Sequence, residues 1–430
     1  MRFTQQKIST LSLLLLFMAF SASQSLAATV TYNLRAGLSS ITMPDNSVVP
    51  VWGFAADSAV GANDGVVIVP GPRLTAAPGD DLVINLSNSL AVPVSIIIPG
   101  QRLTPVPTAA GGRVMSFANQ VAAGQTAQLT FTSLKAGTYL YESGTNPAVQ
   151  LSMGLYGPLV VGPGANGQAY TPTATNPGTV YDRDEVLLFS DILGKFNAVQ
   201  NSYDTYNKDL VDGKNPNIAN YSPVYYLING KSFPDTLTPG ISAPPGTKTL
   251  LRLINASGHN YMPAISGTYY DNQPSPQPHA LSTQVIAEDG NLYRYAKPGV
   301  AIVLPAGKTL DAMLDLSGAA SPGYYAVYDR RLGLTNAGNF PGGMLTFIAS
   351  WGAGEDCSPF KGDINGDGRI DFADVMASLR LVIAGGYSAN GDVSPVSASG
   401  LPCGNGASGG PLTLADALLL LQKAAGFSSY

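Results

Sequence analysis

Histidine occurs only twice in the 430 residues, at His259 and His279, and cysteine only twice, at Cys357 and Cys403. The scarcity excludes a metal cluster built from many imidazoles, and the absence of cysteine before residue 357 excludes a thiolate centre in the first three quarters of the chain. Charged residues make up 12 % of the chain and the net charge is −5, which gives no electrostatic footprint for nucleic acid. No apolar run beyond the N-terminus is long enough to cross a bilayer, so no transmembrane segment is expected in the mature chain. Long amphipathic helical periodicity is missing before residue 370. A Gly-x-Ser-x-Gly elbow, a phosphate loop and a His-Glu-x-x-His motif are missing as well.

What is present begins with a secretory leader. Arg2 and Lys7 precede an apolar core over residues 11–20, and Ser25-Leu26-Ala27 offers small residues for cleavage. Residues 1–27 are therefore expected to be a signal peptide and the mature protein to be exported, extracellular or held at a cell surface. In an oxidising compartment Cys357 and Cys403 are expected to pair. The other reading of the two thiols, a metal site, lacks neighbouring histidines and short spacing.

Up to Trp351 the chain reads as short alternating runs between Gly, Pro, Asn and Asp. The run Ala127-Gln128-Leu129-Thr130-Phe131-Thr132 alternates apolar and polar residues, which is strand periodicity. Three segments recur in order. Pro78-Gly79 leading into Leu82-Val83-Ile84-Asn85-Leu86-Ser87-Asn88 returns as Pro245-Gly246 leading into Leu250-Leu251-Arg252-Leu253-Ile254-Asn255-Ala256. Ala122-Ala123-Gly124-Gln125-Thr126 returns as Pro305-Ala306-Gly307-Lys308-Thr309, and Gly137-Thr138-Tyr139-Leu140-Tyr141 as Gly323-Tyr324-Tyr325-Ala326-Val327-Tyr328. Two copies of one β domain are predicted, over residues 28–163 and 185–351, with a Pro/Gly-rich linker or surface loop over 164–184.

These segments carry a family resemblance. Val69-Pro70-Gly71-Pro72, the Pro78-Gly79-Asp80 turn, Gly137-Thr138-Tyr139-Leu140-Tyr141 and Gly154-Leu155-Tyr156-Gly157-Pro158 look like the first cupredoxin domain of a multicopper oxidase. Ile228-Asn229-Gly230, Arg252-Leu253-Ile254-Asn255-Ala256, Ala287-Glu288-Asp289-Gly290 and Gly342-Gly343-Met344 resemble a later domain of that family. The resemblance implies a mainly β protein with two cupredoxin-like Greek-key sandwiches. It also implies His-x-His ligand pairs at two places in the first domain. There this sequence has Ile97 and Pro99, then Glu142 and Gly144, and the matching place in the second copy reads Asp329-Arg330-Arg331. Ile and Pro side chains cannot ligate a metal, and a blue-copper centre needs two His and one thiolate. Copper is therefore not expected, nor is oxidase activity. Glu142 and Asp329 read as lone carboxylates, Glu288-Asp289-Gly290 as a hairpin turn, His259 as a hydrogen-bonded loop or core residue and His279 as an exposed loop residue.

Beyond Trp351 the composition changes. In the run 363–374, Asp363, Asn365, Asp367, Asp371 and Asp374 fall at positions 1, 3, 5, 9 and 12 of a calcium loop. Gly368 stands at the sharp turn, and the Arg369 carbonyl supplies position 7. An apolar helix follows. The loop and helix resemble a dockerin repeat, and residues 356–430 are predicted to form a small α-helical dockerin-like module. A second helix echoes the first around Asp416. Counting back from it, Asn405, Ala407, Gly409 and Thr413 bring no carboxylate, and Asp392 could serve only through an enlarged loop.

The expectation is an exported non-catalytic scaffold or binding protein with a calcium-binding attachment or assembly module. Its partner would be an extracellular protein, cohesin-like by the dockerin resemblance, or a glycan. Two alternatives stand beside it: an oxidoreductase of the multicopper family whose copper ligands come from a partner, and a polysaccharide-associated protein.

Overall fold

The computed structural model describes residues 27–103, 106–162, 167–193, 222–237, 240–268, 281–319, 323–350, 361–365, 370–388, 390–394 and 411–425. The leader, His279, Cys357, Cys403, Asp367 and Arg369 lie outside these residues.

The first sandwich pairs two sheets. One holds β1 (Thr29–Thr42), β2 (Val48–Ala56), β4 (Asp81–Asn88) and β7 (Thr126–Phe131) in the order β2-β1-β4-β7. The other holds β3 (Leu74–Ala76), β8 (Gly137–Glu142) and β9 (Tyr156–Val161) in the order β3-β9-β8. A hairpin of β5 (Thr108–Ala110) and β6 (Arg113–Ser116) and a short helix α1 (Pro147–Met153) flank them.

The second sandwich repeats the plan. Strands β10 (Arg183–Leu193), β11 (Pro223–Ile228), β13 (Lys248–Asn255) and β17 (Thr309–Asp315) run in the order β11-β10-β13-β17, extended by the hairpin β15 (Ser282–Glu288) and β16 (Asn291–Pro298). The facing sheet has the order β12-β19-β18-β14, from β12 (Ile241–Ser242), β14 (Pro263–Ile265), β18 (Gly323–Asp329) and β19 (Leu345–Ser350). The matching pairs agree in direction. β1 runs parallel to β4 as β10 does to β13, and β3 parallel to β9 as β12 does to β19. One asparagine in each copy makes the same bonds: Asn88 Nδ2 donates to the carbonyls of Val92 and Val121, and Asn255 Nδ2 to those of His259 and Leu304. The repeat read from three short segments is thus a repeat of topology, register and loop chemistry.

The two copies differ where they meet. On β4 burial alternates, with Leu82, Ile84 and Leu86 in the core and Val83, Asn85 and Ser87 half-buried outside. On β13 both faces are buried: Leu251 and Leu253 enter the second core, while Leu250, Arg252 and Ile254 face out of it. Ile254, Leu188 and Ala256 pack on Leu140 and Tyr156 of the first sandwich, and Leu250 packs on Ala169, Tyr170 and Ile286. A strand covered on both sides needs no polar face, which explains the nearly unbroken apolar run of β13.

The connection expected as a linker or surface loop is exposed over residues 171–175 and anchored at Tyr170, Asn176 and Thr179, which are buried. The domains also touch at two glycines. A Cβ on Gly137, whose φ is +139°, would lie 2.5 Å from Gly290 Cα, so no larger residue fits this approach. Asp289 and Gly290, at φ 47° and 69°, form the two-residue turn between β15 and β16, the positive-φ turn that suits a right-twisted hairpin.

Beyond the sandwiches, helices α2 (Phe372–Ala384) and α3 (Leu414–Ala424) pack around Val375, Val393 and Leu420. None of the described helices is long and apolar enough to cross a membrane.

Candidate functional site

Ile97 and Glu142 stand opposite each other: Ile97 N donates to Glu142 O at 2.8 Å and Glu142 N to Ile97 O at 3.0 Å. Opposed residues share a face, and since Ile96 and Ile98 point into the core, Ile97 and Glu142 lie outside it. Gly144 belongs to the same face, because a Cβ added there would lie 2.8 Å from Ile97 Cγ2. Pro99, two residues beyond Ile97, is exposed. The four positions singled out from sequence therefore converge at one rim of the first sandwich, beside the seam with the second.

One of them is ionisable. Burial pushes the Glu142 carboxyl up to about 7, and no hydrogen bond or ion pair to its side chain exists among the described residues. Ile, Pro and Gly offer no donor, and a single carboxylate does not match the nitrogen and sulfur ligands that copper takes. The donor set at this rim does not fit a copper centre. Among the described residues no three His, Cys, Asp or Glu side chains are grouped to hold a metal ion.

In the second sandwich the matching pair is Ala264 opposite Tyr328. This corrects the sequence alignment by one residue: Glu142 corresponds to Tyr328, Ser143 to Asp329 and Gly144 to Arg330. Bonding supports the register, since Thr145 N donates to Ser143 Oγ as Arg331 N donates to Asp329 Oδ1. Asp329 is fully buried and accepts further bonds from Met262 N and Gly333 N. It is a loop-holding carboxylate, and it does not share the face of Glu142's counterpart. His259 occupies the place of Val92, well before Ala264. Its backbone N donates to Ser257 Oγ, and that hydroxyl, with Tyr261 OH, donates to the buried Asp191.

Sequence reasoning missed the polar seam between the domains. Arg252, 1 % exposed, donates through Nε to Asp184 at 2.6 Å and through Nη1 to Thr138 Oγ1 at 3.0 Å. Asp311, 2 % exposed, lies 3.8 Å from Arg252 and accepts from Thr138 Oγ1 and Tyr170 OH. Thr309 Oγ1 donates to Thr138 O. The only trace in the sequence is a charge set in an apolar strand.

In the C-terminal region Asp374 is fully buried. Its Oδ1 accepts from Ile364 N and Asn365 N, and its Oδ2 from Asp371 N. Asp371 in turn caps α2 by accepting from Ala373 N. The second copy repeats the arrangement: Asp416 Oδ1 accepts from Val393 N and Ser394 N, and Oδ2 from Thr413 N. Asp392, not Asn405, therefore matches Asp363, and the second loop is the longer one. The two loops cross-brace each other. Asn390 Nδ2 donates to Asp363 O, and Lys361 Nζ to Asp392 O. Both helices leave apolar residues in solvent, Phe372 and Met376 on α2 matched by Leu414 and Leu418 on α3, with Ile383 and Leu421 exposed besides.

Comparison with known proteins agrees with this double sandwich. The multicopper oxidase family model matches residues 53–166. Solved structures of the same fold include the blue copper oxidase from Nitrosomonas europaea, at 22 % identity and a TM-score of 0.54, covering 75 % of this chain and 86 % of that one. The multicopper oxidase mgLAC aligns over the same shares at 20 % identity and a TM-score of 0.56. The copper nitrite reductase from Nitrosomonas europaea covers 76 % of this chain and 95 % of its own, at 19 % identity and a TM-score of 0.51. No curated protein matches the sequence. The double sandwich shares the fold of these structures, and the family match is carried by the first sandwich.

Proposed function

We propose that the chain is an exported, non-catalytic member of the cupredoxin-fold proteins that acts as a scaffold or binding protein and carries a calcium-stabilised, dockerin-like attachment module. The observation that carries this reading is the rim of the first sandwich, where Ile97, Pro99, Glu142 and Gly144 converge and supply one carboxylate in place of four imidazoles. No redox step can be assigned to these residues, so a binding role follows from the fold that remains. The signal sequence supports export.

For calcium the residues fit. Asp363, Asn365, Asp367, Asp371 and Asp374 with the Arg369 carbonyl form an all-oxygen set of the kind a hard cation takes. Asp374 supports the assignment because it already ties the start of the loop to the start of α2. Calcium would neutralise the four carboxylates that the sequence places within residues 363–374. The exposed apolar residues of α2 and α3 suit an attachment role, since a contiguous apolar face on a soluble module marks a contact surface.

Elemental analysis of protein purified from copper-supplemented medium tests the reading. Calcium near one or two equivalents without copper, and no oxidase activity, is expected. Near-stoichiometric copper together with oxidase activity would overturn it.

A further inference from the structure

A cleft of about 1100 Å³ opens between the two sandwiches. The first sandwich contributes residues 39–45, at the end of β1, and residues 66–69. The second contributes the loop 229–235 after β11, with Tyr324 and Asn339. The two walls are tied together. Tyr225 OH donates to Asp45 Oδ2 at 2.8 Å, and Gly230, at φ 78°, lies so close to the Val69 carbonyl that a Cβ would clash with it. The loop 229–235 is also held by buried groups. Asn336 Nδ2 donates to Phe233 O at 2.9 Å, and Asn336 Oδ1 accepts from Ser232 Oγ. The Tyr324 ring is stacked on Phe347 with 4.8 Å between centroids. The cleft is therefore preformed, and its volume lies just above the range of about 300–1,000 Å³ usual for small-molecule sites.

We propose that this cleft binds a neutral oligosaccharide. Its lining decides the class. Lys231 is the one cation among the described lining residues, so a phosphorylated or sulfated ligand would lack the cluster of cations it needs. Ser40, Thr42 and Asn339 are exposed lining groups that both donate and accept hydrogen bonds, as the hydroxyls of a sugar do. Lys231 and Asp235, four residues apart on one loop, add a charged donor and a charged acceptor. Desolvation raises the Asp235 carboxyl and Lys231 opposes the rise, so this carboxylate gains from hydroxyl donors that replace lost water. Ile41, Ile68 and Tyr324 supply apolar surface for the C–H faces of a sugar ring. The inference rests on the binding role proposed above and fails separately from it. Copper uptake with oxidase activity would sink that role, whereas absence of sugar binding in a copper-free protein sinks only the cleft.

Isothermal titration of the full chain, in calcium, with linear neutral hexasaccharides of glucose, mannose and xylose tests it. Hexagalacturonate and an uncharged Ser/Asn hexapeptide serve as the competing classes. Saturable binding of at least one neutral sugar is expected. Asp235→Ala should weaken it at least about tenfold and Asn339→Ala about fivefold. Both side chains are exposed, so the melting temperature should hold in each variant. Glu142→Gln, outside the cleft, should leave the affinity unchanged. Binding of none of the neutral sugars, preference for hexagalacturonate or for the peptide, or an affinity that follows Glu142→Gln and ignores Asp235→Ala overturns the proposal.

Discussion

At the scale of single residues, Glu142 is a carboxyl that burial holds out of its usual range. Its carboxyl is raised from 4.5 to about 7 by burial. Between those two values the folded chain holds a proton that the unfolded chain has released. Stability therefore falls as pH rises through this window and stays lowered above it. The linked cost at pH 8 is on the order of 3 kcal/mol. Glu142→Gln is expected to flatten the pH dependence between 5 and 8 and to be the more stable protein at pH 8, as measured by chemical denaturation. A wild-type stability that is level over this range would contradict the burial assigned to Glu142. The residue's departure from a ligand pattern was legible in the sequence. Its burial was not, because Ile97 and Tyr156, which flank it, are brought beside it only by the fold. Asp329 shows the same limit: aligning tyrosines placed it opposite Glu142, and only strand pairing revealed the shift of one residue.

At the scale of elements, the two helical repeats are held by one device used twice, a buried aspartate at the third helical position that binds the amides of its own loop. The sequence displayed this device in Asp374 and Asp416. It offered the match between Asp363 and Asp392 only through an enlarged loop, because counting back from Asp416 lands inside the extra residues. Asp363→Ala with Asp367→Ala is expected to abolish the calcium-dependent rise in the melting temperature of the C-terminal region. If chelator leaves the wild-type melting of that region unchanged, the calcium assignment is wrong. Asp416→Ala leaves three backbone amides without their acceptor and is expected to cost about 2 kcal/mol. Thermal melts with and without calcium should show that loss equally if the second loop binds no cation, and a larger loss with calcium if it does. The strand plan was legible in the same partial way. The paired segments foretold β4 and β13, β7 and β17, and β8 and β18. The parallel pairing of β1 with β4 and of β10 with β13 was not foretold, since nothing local in a strand specifies a parallel partner far along the chain.

At the scale of the whole molecule, the two sandwiches are joined by a buried polar knot as well as by apolar packing. Arg252 sits between Asp184 and Asp311, and Thr138 of the first sandwich bonds both Arg252 and Asp311. Removing one member of such a knot leaves the others desolvated and unpaired, which costs more than the pair contributes net. Arg252→Met keeps most of the side-chain volume but strands the Asp311 carboxylate in the seam, with only hydroxyl donors left. A loss of about 3 kcal/mol is expected. The seam also links the folding of the two domains, so the wild-type sandwiches should unfold together, and the weakened seam of Arg252→Met should let them separate into two transitions. Scanning calorimetry distinguishes these outcomes. The double variant Arg252→Met with Asp311→Leu removes both charges and should recover most of the stability, because an apolar seam carries no unpaired charge. Recovery in the double variant with a single transition would assign the coupling to the packing of Leu140, Tyr156, Leu188 and Ile254. Failure to recover would assign it to the knot, with Thr138 and Tyr170 then left without their acceptor. Either result apportions the interface between a charge network that no sequence pattern announced and an apolar face that the unbroken run of β13 did.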